Sequence, residues 1–228
     1  MKNRVINIAV VAEIAEALKE LKDQVIFVGG SVVSLYADDP AADDIRPTAD
    51  IDITIKLMNQ SNYLQMQKHL SDLGFKLDVT GHSVCSYKYK DIPVDIMSTE
   101  DMPLMPSTKW FKLGLATLQT VKANNIDIQI LSAPYFLATK FKAFNDRGID
   151  YRTSHDIEDV IYVLDNNIDI VNQINQADTK VREFIKSEFQ KIIDNDALEE
   201  IIAAHVHPLV IEQRQAIIMD KLTQILAG

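Results

Sequence analysis

With 228 residues, 47% of them hydrophobic and only seven glycines and seven prolines, the chain can build one large domain or two small ones around a real core; a disordered or low-complexity protein is excluded. A formal charge of -10 argues against a protein that coats nucleic acid nonspecifically, because phosphate binding needs Lys and Arg to release counterions, although a local basic patch stays open. The single Cys85 allows neither an internal disulfide nor a zinc cluster. No apolar run approaches the ~20 residues that cross a bilayer, and the N-terminus carries charges at helical spacing where a signal peptide would be unbroken, so no membrane role and a cytoplasmic location are expected.

Ile6, Val10, Ile14, Leu18 and Leu21 recur at three- and four-residue intervals, which predicts an amphipathic helix over the first ~21 residues. Val25 to Val28 reads as a short apolar strand closed by Gly29-Gly30, with a helix beginning at Ser31. The run DDPAADDIRPTA, residues 38–49, reads as a loop. Ile51, Ile53 and Ile55 alternate with Asp50, Asp52 and Thr54, the pattern of a strand with one apolar and one polar face. A helix from Asn62 to Leu73 ends at Gly74, and FKLDV, VCSYKYK and IPVDIM follow as strands of the same sheet. Residues 116–131 form a hairpin turned at Asn124-Asn125, and from Pro134 the pattern is helical to the end. The expected fold class is therefore α+β, with a mixed sheet domain over 1–132 and a helical domain over 133–228.

Residues two apart on a strand share a face, so Asp50 and Asp52 present two carboxylates side by side while the isoleucines enter the core. Bare carboxylates that close repel, and hard oxygen ligands on a rigid strand suit Mg²⁺ or Mn²⁺. Asp95 in IPVDIM, projecting away from Val94 and Ile96, supplies a third. Three carboxylates from neighbouring strands are the ligand set of a metal site for phosphoryl transfer. Gly29-Gly30-Ser31, between a strand and a helix, offers backbone N–H groups and a hydroxyl to a triphosphate. A lone D-x-D also occurs in metal-dependent glycosyltransferases; the order strand, GGS, helix, loop, D-I-D, helix, strand, D is far more specific.

These residues carry a resemblance. GGS, RPTADIDI and VDI resemble the catalytic core of the polymerase-β-type nucleotidyltransferase superfamily, and LSAPYFLATKFKAFNDRG with SHDIEDVIYVL resembles the helical half of the AbiEii/AbiGii-type nucleotidyltransferases. The likeness spans roughly residues 25–165. It implies a nucleotidyltransferase sheet core flanked by helices and followed by a helical bundle. By the same resemblance Gly29, Gly30 and Ser31 serve the phosphates, Asp50, Asp52 and Asp95 the metal, Lys140 the triphosphate, and Asp156 or Asp159 stands near that lysine. Arg46 and Thr48 match the R-x-[ST]-x-D-I-D run. The insert DDPAADD, residues 38–44, is longer than the usual turn, and its charge beside a metal site would repel a phosphate unless it points away.

Periodicity bears on the helical half independently. Leu137, Phe141 and Phe144 form an apolar stripe that Lys140 borders, with Lys142 on the opposite side, which favours Lys140 as the lysine that reaches a cleft. In the next helix Ile157, Val160, Ile161 and Leu164 make the stripe; Asp156 lies at its edge and Asp159 is expected to point nearly away, which favours Asp156. A bland alternative for Asp156 is a capping box with Thr153, and for Arg147 a helix C-terminal cation before Gly148. Trp110 and Phe111, between Lys109 and Lys112, read as packing at a domain interface in preference to a platform for bases. His69, His82, His155, His205 and His207 are too scattered for a zinc quartet.

The expected activity is Mg²⁺- or Mn²⁺-dependent transfer of a nucleoside monophosphate from an NTP to an acceptor hydroxyl, with pyrophosphate leaving. The resemblance implies a bacterial toxin acting on tRNA or another RNA, held in check by an antitoxin partner. Competing acceptors are a protein hydroxyl and an aminoglycoside-like small molecule, and the rival of a different class is a non-catalytic nucleotide-binding module.

Overall fold

The computed structural model describes residues 3–55, 60–80, 85–101 and 107–228; Val84, with which the segment VCSYKYK opens, and His82 lie outside them. The chain divides into two compact units, one of residues 1–32 and 44–132, the other of residues 33–43 and 133–228.

The first unit opens with helix α1, Asn3–Leu18, which leaves α geometry where Lys19 takes a positive φ of 50° and continues as a 3-10 segment, Lys19–Gln24. Its buried face runs through Asn7, Val11, Ile14 and Leu18. The stripe expected from Ile6 and Val10 is thereby corrected at its start: Ile6 is 39% exposed, and an asparagine takes the inward position. The 4-3-4 spacing of the buried residues follows the 3.6-residue period better than one starting at Ile6.

Seven strands form one mixed sheet: β1 Val25–Val28, β2 Ile51–Ile55, β3 Phe75–Leu77, β4 Ser86–Tyr89, β5 Ile92–Ser98, β6 Gln119–Ala123 and β7 Ile126–Ile130, in the order β3-β4-β5-β2-β1-β7-β6. The pairs β2–β5 and β1–β7 are parallel and the rest antiparallel. Parallel neighbours need a crossover. Between β2 and β5 the connecting chain contains helix α2, Gln60–Asp72, and the antiparallel strands β3 and β4. Ile51, Ile53, Ile55, Val94 and Ile96 are buried, as the alternation of D-I-D and V-D-I requires. The hairpins β4–β5 and β6–β7 close on two-residue turns in which Lys90 and Asn124 adopt positive φ, the geometry that matches strand twist. Helix α3, Lys109–Gly114, is capped by the Thr108 hydroxyl and contributes Trp110 and Phe111 to the core.

The second unit is helical: α4 Ala133–Arg147, α5 His155–Asn166, α6 Ile170–Asn175, α7 Thr179–Ile193, α8 Leu198–Ala204 and α9 Ile211–Ala227. Its core includes Phe136, Phe141, Phe189, Ile185 and Leu222, with the Phe141 and Phe189 rings edge to face at 5.1 Å. Residues 33–43 are fastened to this unit by polar contacts. Asn167 donates to the Tyr36 carbonyl at 2.9 Å, and the amides of Asp38 and Asp39 donate to the Asn166 carbonyl. A buried guanidinium closes the fastening: Arg214 donates from Nε to both Asp165 oxygens at 2.8 and 2.9 Å, and it also bonds Asp39 and Asn166. No helix among the described residues is long and apolar enough to cross a membrane.

Candidate active site

The carboxylate constellation is assembled by strand register. In the parallel β2–β5 pair Asp52 lies directly beside Asp95, and Asp50 stands one residue ahead of β2. One oxygen from each of Asp50, Asp52 and Asp95 lies within 4.8 Å of the others, and all three side chains are half-buried. Oxygens on one octahedral Mg²⁺ at about 2.1 Å stand about 3.0 Å apart when adjacent and about 4.2 Å apart when opposite, so a cluster within 4.8 Å is of the size a small hard cation would draw together. Among the described residues this is the one cluster with such spacing.

Neighbouring residues shape the cluster. Ser86, facing Asp95 across the β4–β5 ladder, donates its hydroxyl to Asp95 Oδ1 at 2.6 Å, the short length of a charge-assisted bond. That bond fixes the rotation of the carboxylate. Burial pushes the Cys85 thiol up to about 11, with the Asp95 charge adding to the effect, so this cysteine remains a thiol and offers no nucleophile.

Gly29 sits where β1 ends, at φ 73°, and Val28 pairs with Asp52. A Cβ added to Gly29 would stand 1.9 Å from Asp52 Oδ2 and 2.8 Å from its Cβ. Only a residue without a side chain lets the carboxylate occupy that place. At Gly30 an added Cβ would meet the Arg46 guanidinium at 2.8 Å and the Thr48 methyl at 3.0 Å, which locates both side chains over the turn. Ser31 is 1% exposed, and its Oγ has no hydrogen-bond partner among the described residues. The first unit thus gathers Gly29, Gly30, Ser31, Arg46, Thr48, Asp50, Asp52 and Asp95 around the end of β1 and the start of β2.

Lys140, Asp156 and Asp159 belong to the helical unit, where they form a second charged cluster. Lys140 is 7% exposed and Asp159 2%. The Lys140 ammonium lies 2.6 Å from Asp159 and 3.5 Å from Asp156, and Arg147 donates to both oxygens of Asp156 at 3.1 Å. The expectation that Asp159 points away from the buried side of α5 is corrected. Helix α5 packs against both α4 and α9, so its acidic side is covered as well as its apolar stripe, and the lysine from α4 neutralises the acid there. The capping reading of Asp156 is corrected too: Ser154 is the N-cap, accepting from the Ile157 amide, and Asp156 receives Arg147 and Lys140. Lys142 is half-buried and pairs with Asp146, away from the Lys140 cluster.

The acidic insert is occupied with structural bonds. Asp44 caps α1, accepting from the amides of Asn3 and Arg4. Asp38 accepts from the Ile168 amide; Asp39 is held below the usual carboxylate range by the Ala41 amide and by Arg214. Trp110 is 1% exposed and Phe111 is buried, so neither offers a face for stacking a base. His205 bonds the Tyr151 carbonyl and His207 caps a short 3-10 turn, both structural roles.

The polar residues that the sequence did not disclose are Ser86, whose register opposite Asp95 depends on strand pairing, and Asn7. The Asn7 carboxamide donates to the Arg46 carbonyl at 3.1 Å and accepts from the Thr48 amide at 3.3 Å.

Comparison with known proteins agrees with this geometry. A family model described as nucleotidyl transferase AbiEii toxin, Type IV TA system, matches residues 14–222. No curated protein matches the chain. Among solved structures, the crystal structure of an antigenic nucleotidyltransferase-like protein from Paracoccidioides brasiliensis is similar in fold, with a TM-score of 0.53 and 19% identity over 88% of this chain and 93% of that one.

Proposed function

The chain belongs to the AbiEii nucleotidyltransferase toxin family, and from that premise we propose that it moves a nucleoside monophosphate from an NTP to an acceptor hydroxyl of RNA, tRNA above all, as the toxin of a toxin–antitoxin pair in the cytoplasm. The observation that carries the reading is the Asp50, Asp52 and Asp95 triad set beside the Gly29-Gly30 turn. A Mg²⁺ or Mn²⁺ ion held by the three carboxylates would offset the charge of the triphosphate and lower the cost of bringing the acceptor oxygen to it.

The chain's own residues do the rest. The backbone N–H groups of the Gly29-Gly30 turn would donate to phosphate oxygens, with Arg46, Thr48 and the Ser31 hydroxyl as further donors. Lys140 is the catalytic lysine on this reading, its ammonium held by the Asp159 and Asp156 carboxylates. The acceptor oxygen bonds to the α-phosphorus, the bond from that phosphorus to the β-phosphate oxygen breaks, and pyrophosphate departs. The hydroxyl proton passes to a carboxylate, for which Asp95 is our choice. Catalysis on this reading is mainly positioning and charge neutralisation.

The test supplies each of the four α-³²P-labelled NTPs with Mg²⁺ and, in separate reactions, total tRNA, total cell protein and an aminoglycoside panel. Label on tRNA that the Asp50→Ala/Asp52→Ala variant cannot place is the expected result. Label on protein or drug alone would move the acceptor to that class, and NTP binding without transfer to any of them would leave a nucleotide-binding module.

A further inference from the structure

Helix α1 holds the segment that leads into the metal triad by a ladder of hydrogen bonds. The Asn3 and Arg4 amides donate to Asp44 at 2.8 and 3.0 Å, and the Asn3 carboxamide donates to the Ile45 carbonyl at 2.8 Å. One turn further along, Asn7 donates to the Arg46 carbonyl and accepts from the Thr48 amide. Consecutive stations on the helix therefore grip residues 44, 45, 46 and 48. The first three bonds lie at the solvent-facing end of the helix, whereas Asn7 is 2% exposed. A buried carboxamide is costly unless its donor and acceptor are both used, and both are used here on one short stretch of backbone.

The position of that stretch gives the bonds their meaning. Arg46 and Thr48 are the residues whose side chains lie over Gly30, within 2.8 and 3.0 Å of the point where a Cβ would be. Fixing the carbonyl of one and the amide of the other sets the backbone from which both side chains reach across the turn. Asn7 lies ahead of residue 14, where the family match begins. Nothing in the neighbouring apolar residues requires a polar group at that place; Val11, Ile14 and Leu18 continue the same face without one.

We propose that Asn7 is a positioning residue of the nucleotide site: its carboxamide fixes the Arg46–Thr48 backbone so that the Arg46 guanidinium is held over Gly30, ready for the phosphate chain of the NTP. This rests on the functional reading above and adds to it a residue from a separate helix that never touches substrate. The ligand class it serves is the triphosphate, irrespective of base.

Inorganic tripolyphosphate with Mg²⁺ tests this without reference to base or acceptor, by isothermal titration calorimetry on the full chain. The comparison takes wild type, Asn7→Ala, Arg46→Ala and the double variant, with circular dichroism to verify folding. We expect wild type to bind and Arg46→Ala to bind at least tenfold more weakly. Asn7→Ala should lose about tenfold, which is about 1.4 kcal/mol. The double variant should match Arg46→Ala within about twofold, because Asn7 acts through that arginine. Should Asn7→Ala fail to fold, Asn7→Asp, which keeps the acceptor for the Thr48 amide and loses the donor to the Arg46 carbonyl, replaces it in the same cycle. Wild-type affinity in the Asn7 variants, or losses that add in the double variant, would overturn the proposal while leaving the nucleotidyltransferase reading intact. Absence of tripolyphosphate binding by the wild type, together with absence of nucleotide transfer, would overturn both.

Discussion

Gly29→Ala is a one-carbon change whose consequences can be worked from the structure. Two costs add. The new residue must hold φ at 73°, a left-handed conformation that costs a non-glycine residue about 1–2 kcal/mol. The added Cβ stands 1.9 Å from Asp52 Oδ2, and ordinary contact begins at 3.4 Å, so the carboxylate must retreat by about 1.5 Å. Rotating the side chain does not relieve the clash, since Asp52 Cβ is itself only 2.8 Å away and no rotamer moves it; the backbone of one strand must shift. For a chain of this size the backbone term lowers the melting temperature by roughly 2–8 °C. The catalytic effect should be far larger, because a misplacement of about 1 Å at a reacting centre can cost on the order of 100-fold. The assay pairs a thermal melt with single-turnover transfer of α-labelled nucleotide and with Mn²⁺ binding. A variant that is still folded at the assay temperature, its melting point lowered by at least the backbone contribution, yet loses transfer at least 100-fold and binds Mn²⁺ weakly is the expected result. Transfer within twofold of wild type would refute the placement of Asp52 against the glycine turn.

Three further outcomes follow from named contacts. Ser86→Ala removes the hydroxyl that orients Asp95, and it should weaken Mn²⁺ binding by roughly 10–100-fold with little change in fold, read by calorimetry and circular dichroism. Arg214→Ala leaves the buried Asp165 carboxylate without the Nε–H that both its oxygens share and should destabilise the helical unit by about 3–5 kcal/mol in urea unfolding; Arg214→Lys should not restore it, because an ammonium cannot bond both Asp165 oxygens, Asp39 and Asn166 together. The Asp78 carboxyl is lowered to about 2, first by Lys88, then by the hydroxyl and amide of Thr80. A depressed folded pKa gives stabilisation that is complete above the unfolded value and is lost as pH falls through about 2. Lys88→Met should raise the Asp78 midpoint toward 3.8, measured by carbon-13 NMR of its carboxyl; an unmoved midpoint would remove Lys88 as the main cause.

Local patterning disclosed the strands and the acids they carry. The alternation in DIDITI and IPVDI is a property of a few adjacent residues, and the β2–β5 register converts it directly into three converging carboxylates. The hairpin at Asn124-Asn125 was legible for the same reason, as the turn needs only a residue that tolerates positive φ. Asn7 was not legible. A single asparagine within an apolar helix reads as surface, and the partners that bury it lie 39 and 41 residues away. Ser86 was hidden in a strand whose register no local signal sets. Asp159 was misjudged because one apolar stripe was taken as the only buried side of the helix: a helix walled on two sides can bury an acid on the other side when a lysine from a neighbouring helix meets it. The insert 38–44 looked like a loose acidic loop, and its carboxylates instead cap a helix, accept a backbone amide and bind Arg214.

The most direct test of the account is the fate of label at two positions of the same NTP. Parallel single-turnover reactions with tRNA, one carrying ³²P at the α-phosphorus and one at the γ, are run with wild type and with Asp52→Asn. We expect α-label to move to the RNA, γ-label to appear in pyrophosphate and never on the RNA, and Asp52→Asn to abolish both. Transfer of γ-label to the acceptor, or α-label transferred equally well without the Asp52 carboxylate, would contradict it.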